Sequence, residues 1–284
     1  MGSESFWSER RVWITGASSG IGRAIAERLD PLGARLALTA RREASLRQLA
    51  ESLSGEAVVA AADVSDLGQM QSAGARVAAE LGDVDVLIAC AGVYRLTDGR
   101  QWDAATVNEV LRINVEGVSN AIAVVAPSMV QRGAGHIAAV SSLAGLAPMP
   151  GGAAYCASKA ALIALLDSLR LDLRQAGVKV TTIAPGYVDT PMITDEERQT
   201  LHDLVTADDA ARRCCEAIAR GQSYAAFPWR TRWLVKLAQR LPRWLYDRIM
   251  ADAPPMAESI RSESASDVGG HLQADDAADD QRDE

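Results

Sequence analysis

Cysteine and histidine are scarce in this chain of 284 residues, with four of the first and three of the second. Cys90, Cys156, Cys214 and Cys215 form no C-x-x-C pair and stand near no histidine at metal-ligand spacing. That spacing excludes a zinc site and a disulfide framework, so no metal is expected and the thiols are read as reduced. A basic excess is also missing. The formal charge is −8, but residues 251–284 hold ten acids and two arginines and carry all of it. The neutral remainder lacks the positive field that nucleic acid requires, which excludes nucleic-acid binding as the main function. There is no apolar signal core between Met1 and Arg11, and no stretch of the ~18 apolar residues that a membrane span needs. The expected setting is cytoplasmic.

What the chain does have is apolar residues, 48% of the total, enough for a sizeable core. They alternate between short β-rich runs and longer stretches of helical period. The strand candidates are 11–15, 35–40, 57–61, 84–89, 135–141, 178–184 and 223–227, several of them continuously apolar as in strands buried on both faces. Between them, Ile21, Ile25, Leu29 and Leu32 form one helical stripe, and Leu67, Met70, Val77 and Leu81 a second. Leu162, Leu165, Leu166, Leu169 and Leu173 form a third. This rhythm predicts a single α/β domain over 1–227, a Rossmann-type doubly wound fold with a seven-stranded parallel sheet flanked by helices. Residues 228–250 are a basic amphipathic segment that Pro242 should divide into two short helices. Residues 251–284 are too poor in large apolar groups to offset ordering entropy and read as a disordered acidic tail.

The first strand runs into Thr15-Gly16-Ala17-Ser18-Ser19-Gly20-Ile21-Gly22, which opens the first helix. Glycines there permit a tight turn and close backbone approach to a diphosphate, and the helix N-terminus adds partial positive charge. Gly16, Ser18, Ser19, Gly20, Ile21 and Gly22 are therefore candidate contacts for a dinucleotide. The second strand ends in Arg41-Arg42, where an NAD-type site would offer an acid to the adenosine ribose. Two arginines instead suit a 2′-phosphate and favour NADP(H) over NAD(H); otherwise they are solvated charges at the next helix start. Asp63 and Val64 follow the third strand, with Asp63 either at an adenine edge or in a turn or cap.

Tyr155 and Lys159 stand four residues apart at the start of a predicted helix, so their side chains share a face. A free phenol has a pKa near ~10, and a neighbouring ammonium favours its ionised form. Lys159 is the expected perturbing charge. Ser142 lies thirteen residues before Tyr155 at the end of the fifth strand, and Asn114 lies in the helix before that strand. With Thr15-Gly16-x-x-x-Gly20-x-Gly22, Ser141-Ser142, Tyr155-x-x-Ser158-Lys159 and Pro185-Gly186 all in order, residues 11–227 resemble the short-chain dehydrogenase/reductase family.

The resemblance implies an oxidoreductase that moves hydride between a nicotinamide cofactor and a carbonyl or secondary alcohol. It implies that Tyr155 is general acid in reduction and general base in oxidation, and that Ser142 hydrogen-bonds the reacting oxygen. Lys159 would bind the nicotinamide ribose and lower the tyrosine pKa, and Asn114 would hold a water leading toward Lys159. Asn114, Tyr155 and Lys159 are thus cofactor contacts as well. Pro185, Gly186 and Val188 would approach the nicotinamide, and Thr190 would bind its carboxamide so that the 4-pro-S hydride is used. The family's Asn-Asn-Ala-Gly stretch stands here as Ala89-Cys90-Ala91-Gly92, so Cys90, Ala91 and Gly92 would face the cofactor through backbone with two amides lost. The resemblance further implies a homodimer or homotetramer.

Met192, Ile193 and Leu201 fall where the family carries its substrate lid, which suits an apolar substrate portion. In 228–250, Arg232, Lys236 and Arg240 share one helical face and Trp233, Leu234, Leu237 and Leu241 another. That segment either contacts a membrane surface, covers the cleft or meets another subunit. Two other classes use the same sequence features: a catalytically silent nucleotide-binding regulator, which has no need of Tyr155 and Lys159 together, and a membrane-surface adaptor. Cys90, Cys156, Cys214 and Cys215 are read as packing residues, and His136, His202 and His271 as structural or solvated.

Overall fold

The computed structural model describes residues 5–201 and 203–251. His202 and all but the first residue of the acidic tail, His271 included, lie outside the described residues. In chain order the elements are β1 (Arg11–Thr15), α1 (Gly20–Leu29), β2 (Arg35–Thr39), α2 (Glu43–Ser52), β3 (Ala57–Val59), α3 (Leu67–Leu81) and β4 (Val86–Ala89). Then come α4 (Ala104–Leu111), α5 (Gly117–Arg132), β5 (Gly135–Val140), α6 (Ala153–Leu173), β6 (Val178–Pro185), β7 (Val188–Asp189), α7 (Asp195–Thr200) and β8 (Val205–Thr206). The order closes with α8 (Ala207–Ala219), β9 (Tyr224–Phe227), α9 (Trp229–Ala238) and α10 (Arg243–Ala251).

Seven strands pair in the order β3-β2-β1-β4-β5-β6-β9, all parallel, as the alternating pattern predicted. Each strand is apolar on both faces because helices cover both. Val12 and Ile14 of β1 enter one core with Ile25, Leu29 and Leu46, while Trp13 between them enters the other with Met70, Val77 and Leu162. This is the two-residue period of a strand dividing its side chains between two layers. The Trp13 indole N–H donates to Thr39 Oγ1 at 2.8 Å, and that hydroxyl donates to the Ala60 carbonyl at 2.8 Å, so β1, β2 and the exit of β3 share one buried polar chain.

Three features were not predicted. β7 and β8 form a separate two-residue parallel pair. The helix bearing Asn114 is α4 and α5 joined through a π-helical turn, Arg112–Glu116. The whole run 104–132 has the length and apolarity of a membrane span, yet Val118, Ala121, Val125 and Met129 of α5 lie in the core beneath the sheet. Of the leucine stripe on α6, Leu162 and Leu166 are buried and Leu165, Leu169 and Leu173 pack against the same core. That stripe is therefore spent largely inside the chain.

Candidate active site

The reversal of strand order at β1 and β4 opens a crevice at the carboxyl ends of the strands. The cleft there measures about 640 Å³. The turn between β1 and α1 forms one wall. Gly16 and Gly20 hold left-handed φ of +69° and +56°, and a Cβ at Gly16 would lie 2.6 Å from the Ala91 nitrogen. A Cβ at Gly22 would lie 2.4 Å from the Gly16 carbonyl oxygen. Only glycine lets this turn lie so close to the exit of β4. Ser19 caps α1 without a side-chain hydrogen bond, so the cap spends none of the first-turn N–H groups. Unspent N–H groups at a positive helix end, next to a backbone cradle, fit a diphosphate.

Arg41 and Arg42 line the same cleft and are exposed. The adjacent acid, Glu43, pairs with Arg47 at 2.6 Å, and among the described residues no carboxylate forms an ion pair with either arginine. Val64 lines the cleft under a hydrogen bond from Asn120 Nδ2 to its carbonyl at 2.9 Å. Asp63 also lines it, but its carboxylate turns back to accept from Ser65 N–H at 2.9 Å and Ser65 Oγ at 2.8 Å. Of the two readings of Asp63, its side chain takes the turn role.

Ser142, Tyr155 and Lys159 converge on the cleft from two elements, the exit of β5 and the first two turns of α6. Tyr155 and Ser142 interact through their hydroxyls. Ser142 Oγ also accepts from Ala144 N–H at 3.1 Å and donates a long bond to the Pro185 carbonyl at 3.4 Å. Lys159 is buried, donates to the Val140 carbonyl at 2.9 Å, and its Nζ lies 5.6 Å from the centre of the Tyr155 ring. Burial pushes the lysine down to about 8, against a small upward pull from Cys90. Burial pushes the tyrosine up to about 12, and the hydroxyl of Ser142 pulls it back in part. Desolvation is the largest influence on the phenol and favours its protonated form.

Asn114 sits behind the cleft wall, on the side of Lys159. It is fully buried, Ile113 lines the cleft instead, and the amide is held one layer behind the wall. Its Nδ2 donates to the Val93 carbonyl at 2.9 Å and to Ser158 Oγ at 3.0 Å, while Oδ1 accepts from Val93 N–H at 2.7 Å. The cause is the π turn, whose ladder runs from Gly117 N–H to the Arg112 carbonyl and turns Asn114 inward. Gly117 permits that turn to sit against Val64, since a Cβ there would come within 2.6 Å of Val64 Cγ2. A Cβ on Gly92 would lie 3.2 Å from Asn114 Oδ1 and 3.4 Å from Lys159 Nζ, so the two groups flank one point.

The remaining wall is apolar: Leu143, Met149, Met192, Ile193, Val235 and Met250 line it. α9 and α10 roof this end. Gln239 Nε2 donates to the Leu146 carbonyl at 2.9 Å, the Tyr246 hydroxyl donates to the Pro148 carbonyl, and Thr231 Oγ1 donates to Asp203 at 3.0 Å. The segment 228–250 therefore does cover the cleft with one side, and Pro242 does separate two helices.

Comparison with known proteins agrees with this layout. The profile of the family described as short chain dehydrogenase matches residues 10–201. This chain belongs to the short-chain dehydrogenase/reductase family. It is 35% identical over 243 residues to an uncharacterized oxidoreductase of Myxococcus xanthus, covering 84% of this chain and 96% of that protein. It is 38% identical over 194 residues to oxidoreductase UcpA of Salmonella typhimurium, covering 67% of this chain and 73% of the relative. Among solved structures, a short chain dehydrogenase/reductase from Burkholderia phymatum, in complex with NAD, superposes with a TM-score of 0.76 at 29% identity, covering 82% and 93% of the two chains. The protein is thus an oxidoreductase of a family that uses nicotinamide cofactors.

As a short-chain dehydrogenase/reductase, the chain keeps the glycine turn, Pro185, Gly186, Val188 and Thr190 on the cleft wall, with Thr190 against Gly20. Where the family has two asparagines, Cys90 packs against the first core and its N–H donates to the Thr15 carbonyl at 3.1 Å. Burial pushes its thiol up to about 12, so it is a packing residue and not a thiolate. Cys156, Cys214 and Cys215 are buried and raised for the same reason. Two site residues escaped the sequence reading. Tyr94 stacks edge-on to Tyr155 with ring centres 5.4 Å apart, and Tyr246 reaches the cleft from α10. Nothing in local spacing marks either, because each meets its partner across a long sequence separation.

Proposed function

We propose that the enzyme transfers hydride between NADP(H) and a carbonyl or secondary alcohol of a lipophilic small molecule, with Tyr155 as the proton donor and acceptor. The observation that carries this reading is the meeting of Ser142, Tyr155 and Lys159 between a wall fitted to a dinucleotide and an apolar wall. The bound nicotinamide contributes the hydride chemistry; this chain contributes the proton and the geometry. In reduction, the Tyr155 hydroxyl gives its proton to the substrate oxygen as the carbonyl carbon gains hydride; oxidation reverses both transfers. A phenol held neutral by burial suits the reductive direction. Ser142 can exchange its long bond to Pro185 for one to the substrate oxygen. Lys159, cationic below about 8, supplies the positive charge beside the phenol, and Asn114 acts as a positioning residue through Val93 and Ser158.

Preference for the phosphorylated cofactor is supported by the two arginines without acid partners and by the absence of an acid at the end of β2. The apolar wall supports a lipophilic substrate. The test is oxidation of NADPH and NADH across ketones and aldehydes of increasing hydrocarbon length. Tyr155→Phe should lower kcat/KM by about 10²–10⁴-fold while leaving nucleotide affinity in place. Arg41→Ala should weaken NADPH use by roughly 10- to 100-fold and leave NADH use unchanged, the loss of one charge-assisted contact. Turnover that survives loss of the phenol would remove Tyr155 from the chemistry. Equal use of both cofactors, unaltered in Arg41→Ala, would remove the preference.

A further inference from the structure

The roof of the cleft has a second side that the proposed reaction does not use. Trp229, Trp233 and Trp244 are 65%, 63% and 69% exposed, and Leu237 and Ile249 are exposed as well. Trp229 and Trp233 share one open patch with Leu234 and Leu237, and a contiguous exposed apolar patch of this kind marks an interaction site. The same segment, residues 228–250, carries Arg230, Arg232, Lys236, Arg240, Arg243 and Arg248 against the single acid Asp247. Many surface arginines elsewhere are matched to acids, as in Arg23–Glu27, Arg47–Glu43 and Arg76–Glu80. Within this segment, among the described residues, none of the six bases forms an ion pair. Two of them sit beside the exposed indoles: Arg230 is 5.6 Å from the Trp229 ring and Lys236 is 5.8 Å from the Trp233 ring.

We propose that α9 and α10 dock this protein on an anionic lipid bilayer, with the tryptophans in the interfacial layer and the bases on lipid headgroups. An amphipathic helix rich in bases and interfacial tryptophan has the chemistry of a surface-lying anchor. Bases near an anionic leaflet add about 1 kcal/mol each. Charge separates this occupant from the alternatives. A symmetric contact with a second copy would set this basic face against itself, because a two-fold interface pairs a patch with its own image. The acidic residues 252–284 match the charge but offer few large apolar side chains to cover three indoles. A bilayer supplies both negative charge and an apolar layer. Leu234 is exposed on this side and also lines the cleft, so docking would bring the cleft mouth to the lipid; delivery of a lipophilic substrate there rests on the function proposed above.

The experiment is flotation of the full chain with vesicles of phosphatidylcholine alone and of phosphatidylcholine mixed with phosphatidylserine. The expected result is flotation with the mixed vesicles and weakening in high salt. Trp229→Ser/Trp233→Ser/Trp244→Ser should abolish it. Arg230→Gln/Arg240→Gln/Arg243→Gln should lower affinity on the order of 100-fold, the product of three such contributions. All six positions lie outside the cleft, so melting temperature and turnover of both variants should match the parent and serve as the folding control. A full chain that stays with the aqueous phase overturns the proposal, whatever its turnover. Flotation unaffected by either triple substitution overturns it as well. So does a chain that ignores vesicles but dissociates from dimer to monomer on the tryptophan substitutions, which would make this face a subunit interface.

Discussion

Burying an ammonium costs several kcal/mol unless partners compensate, and the described partner of Lys159 is one carbonyl, that of Val140. Its shift from 10.5 to about 8 corresponds to about 3 kcal/mol disfavouring the charged form at neutral pH. The bond to Val140 offsets part of this, since leaving that carbonyl unpaired costs about 1–3 kcal/mol. Lys159→Met is therefore expected to leave folding stability at pH 7 unchanged or up to about 2 kcal/mol higher, while turnover falls by at least about 10²-fold. Urea unfolding and kcat/KM measured on the same variant check this. A variant much less stable than the parent would mean that Lys159 is a structural group and not a strained functional one. The same logic separates Lys159 from Tyr155, whose hydroxyl burial leaves neutral and at little cost.

At the scale of elements, the position of Lys159 depends on how closely α6 approaches the turn Leu143–Gly145. A Cβ at Gly145 would lie 2.7 Å from the Lys159 carbonyl carbon and 2.9 Å from the Ala160 nitrogen, all backbone atoms with no rotamer to move. Ser141 Oγ ties the same turn of α6 by donating to the Lys159 carbonyl at 2.9 Å. Gly145→Ala should push α6 away from β5, costing about 1–3 kcal/mol and lowering turnover without touching any group in the cleft. Thermal unfolding and kcat/KM should fall together; a variant with parent-like values in both would show that α6 has slack at this point. The elements themselves were legible in the sequence, because parallel strands covered on both faces leave unbroken apolar runs between helical stripes. The glycine turn, Ser142, Tyr155 and Lys159 were legible because their chemistry fixes residue type at fixed spacing. The π turn at Asn114 was not, since an ordinary helical stripe continues through it. Nor was the two-sided nature of α9: periodicity reveals an apolar face but not whether a cleft or solvent meets it.

At the scale of the whole molecule, the two cores meet through the sheet, and one ionisable side chain is buried in that sheet away from the cleft. His136 on β5 lies in register with Val86 of β4 and Lys179 of β6. Thr181 Oγ1 donates to the Gln222 carbonyl at 2.5 Å, so its contact of 2.7 Å with His136 Nε2 requires that nitrogen to donate. Nδ1 is then a bare acceptor, buried and without a hydrogen-bond partner among the described residues. Burial, reinforced by Lys179, pushes this histidine from 6.5 down to about 4. Above pH 6.5 the ring is neutral in both folded and unfolded chains and contributes no pH dependence. Between 6.5 and 4 the unfolded chain binds a proton that the folded chain refuses, so stability falls as the pH drops through that window. The full loss is about 3 kcal/mol, reached near pH 4. His136→Gln keeps an N–H donor for Thr181 but cannot ionise, so its unfolding free energy should lack this component while losing somewhat at neutral pH from imperfect packing. Chemical denaturation of both proteins at pH 7 and pH 4.5 measures the difference directly. If the two lose stability in parallel on acidification, the acid sensitivity of this fold belongs to its carboxylates, and the sheet tolerates a charged imidazole at its centre.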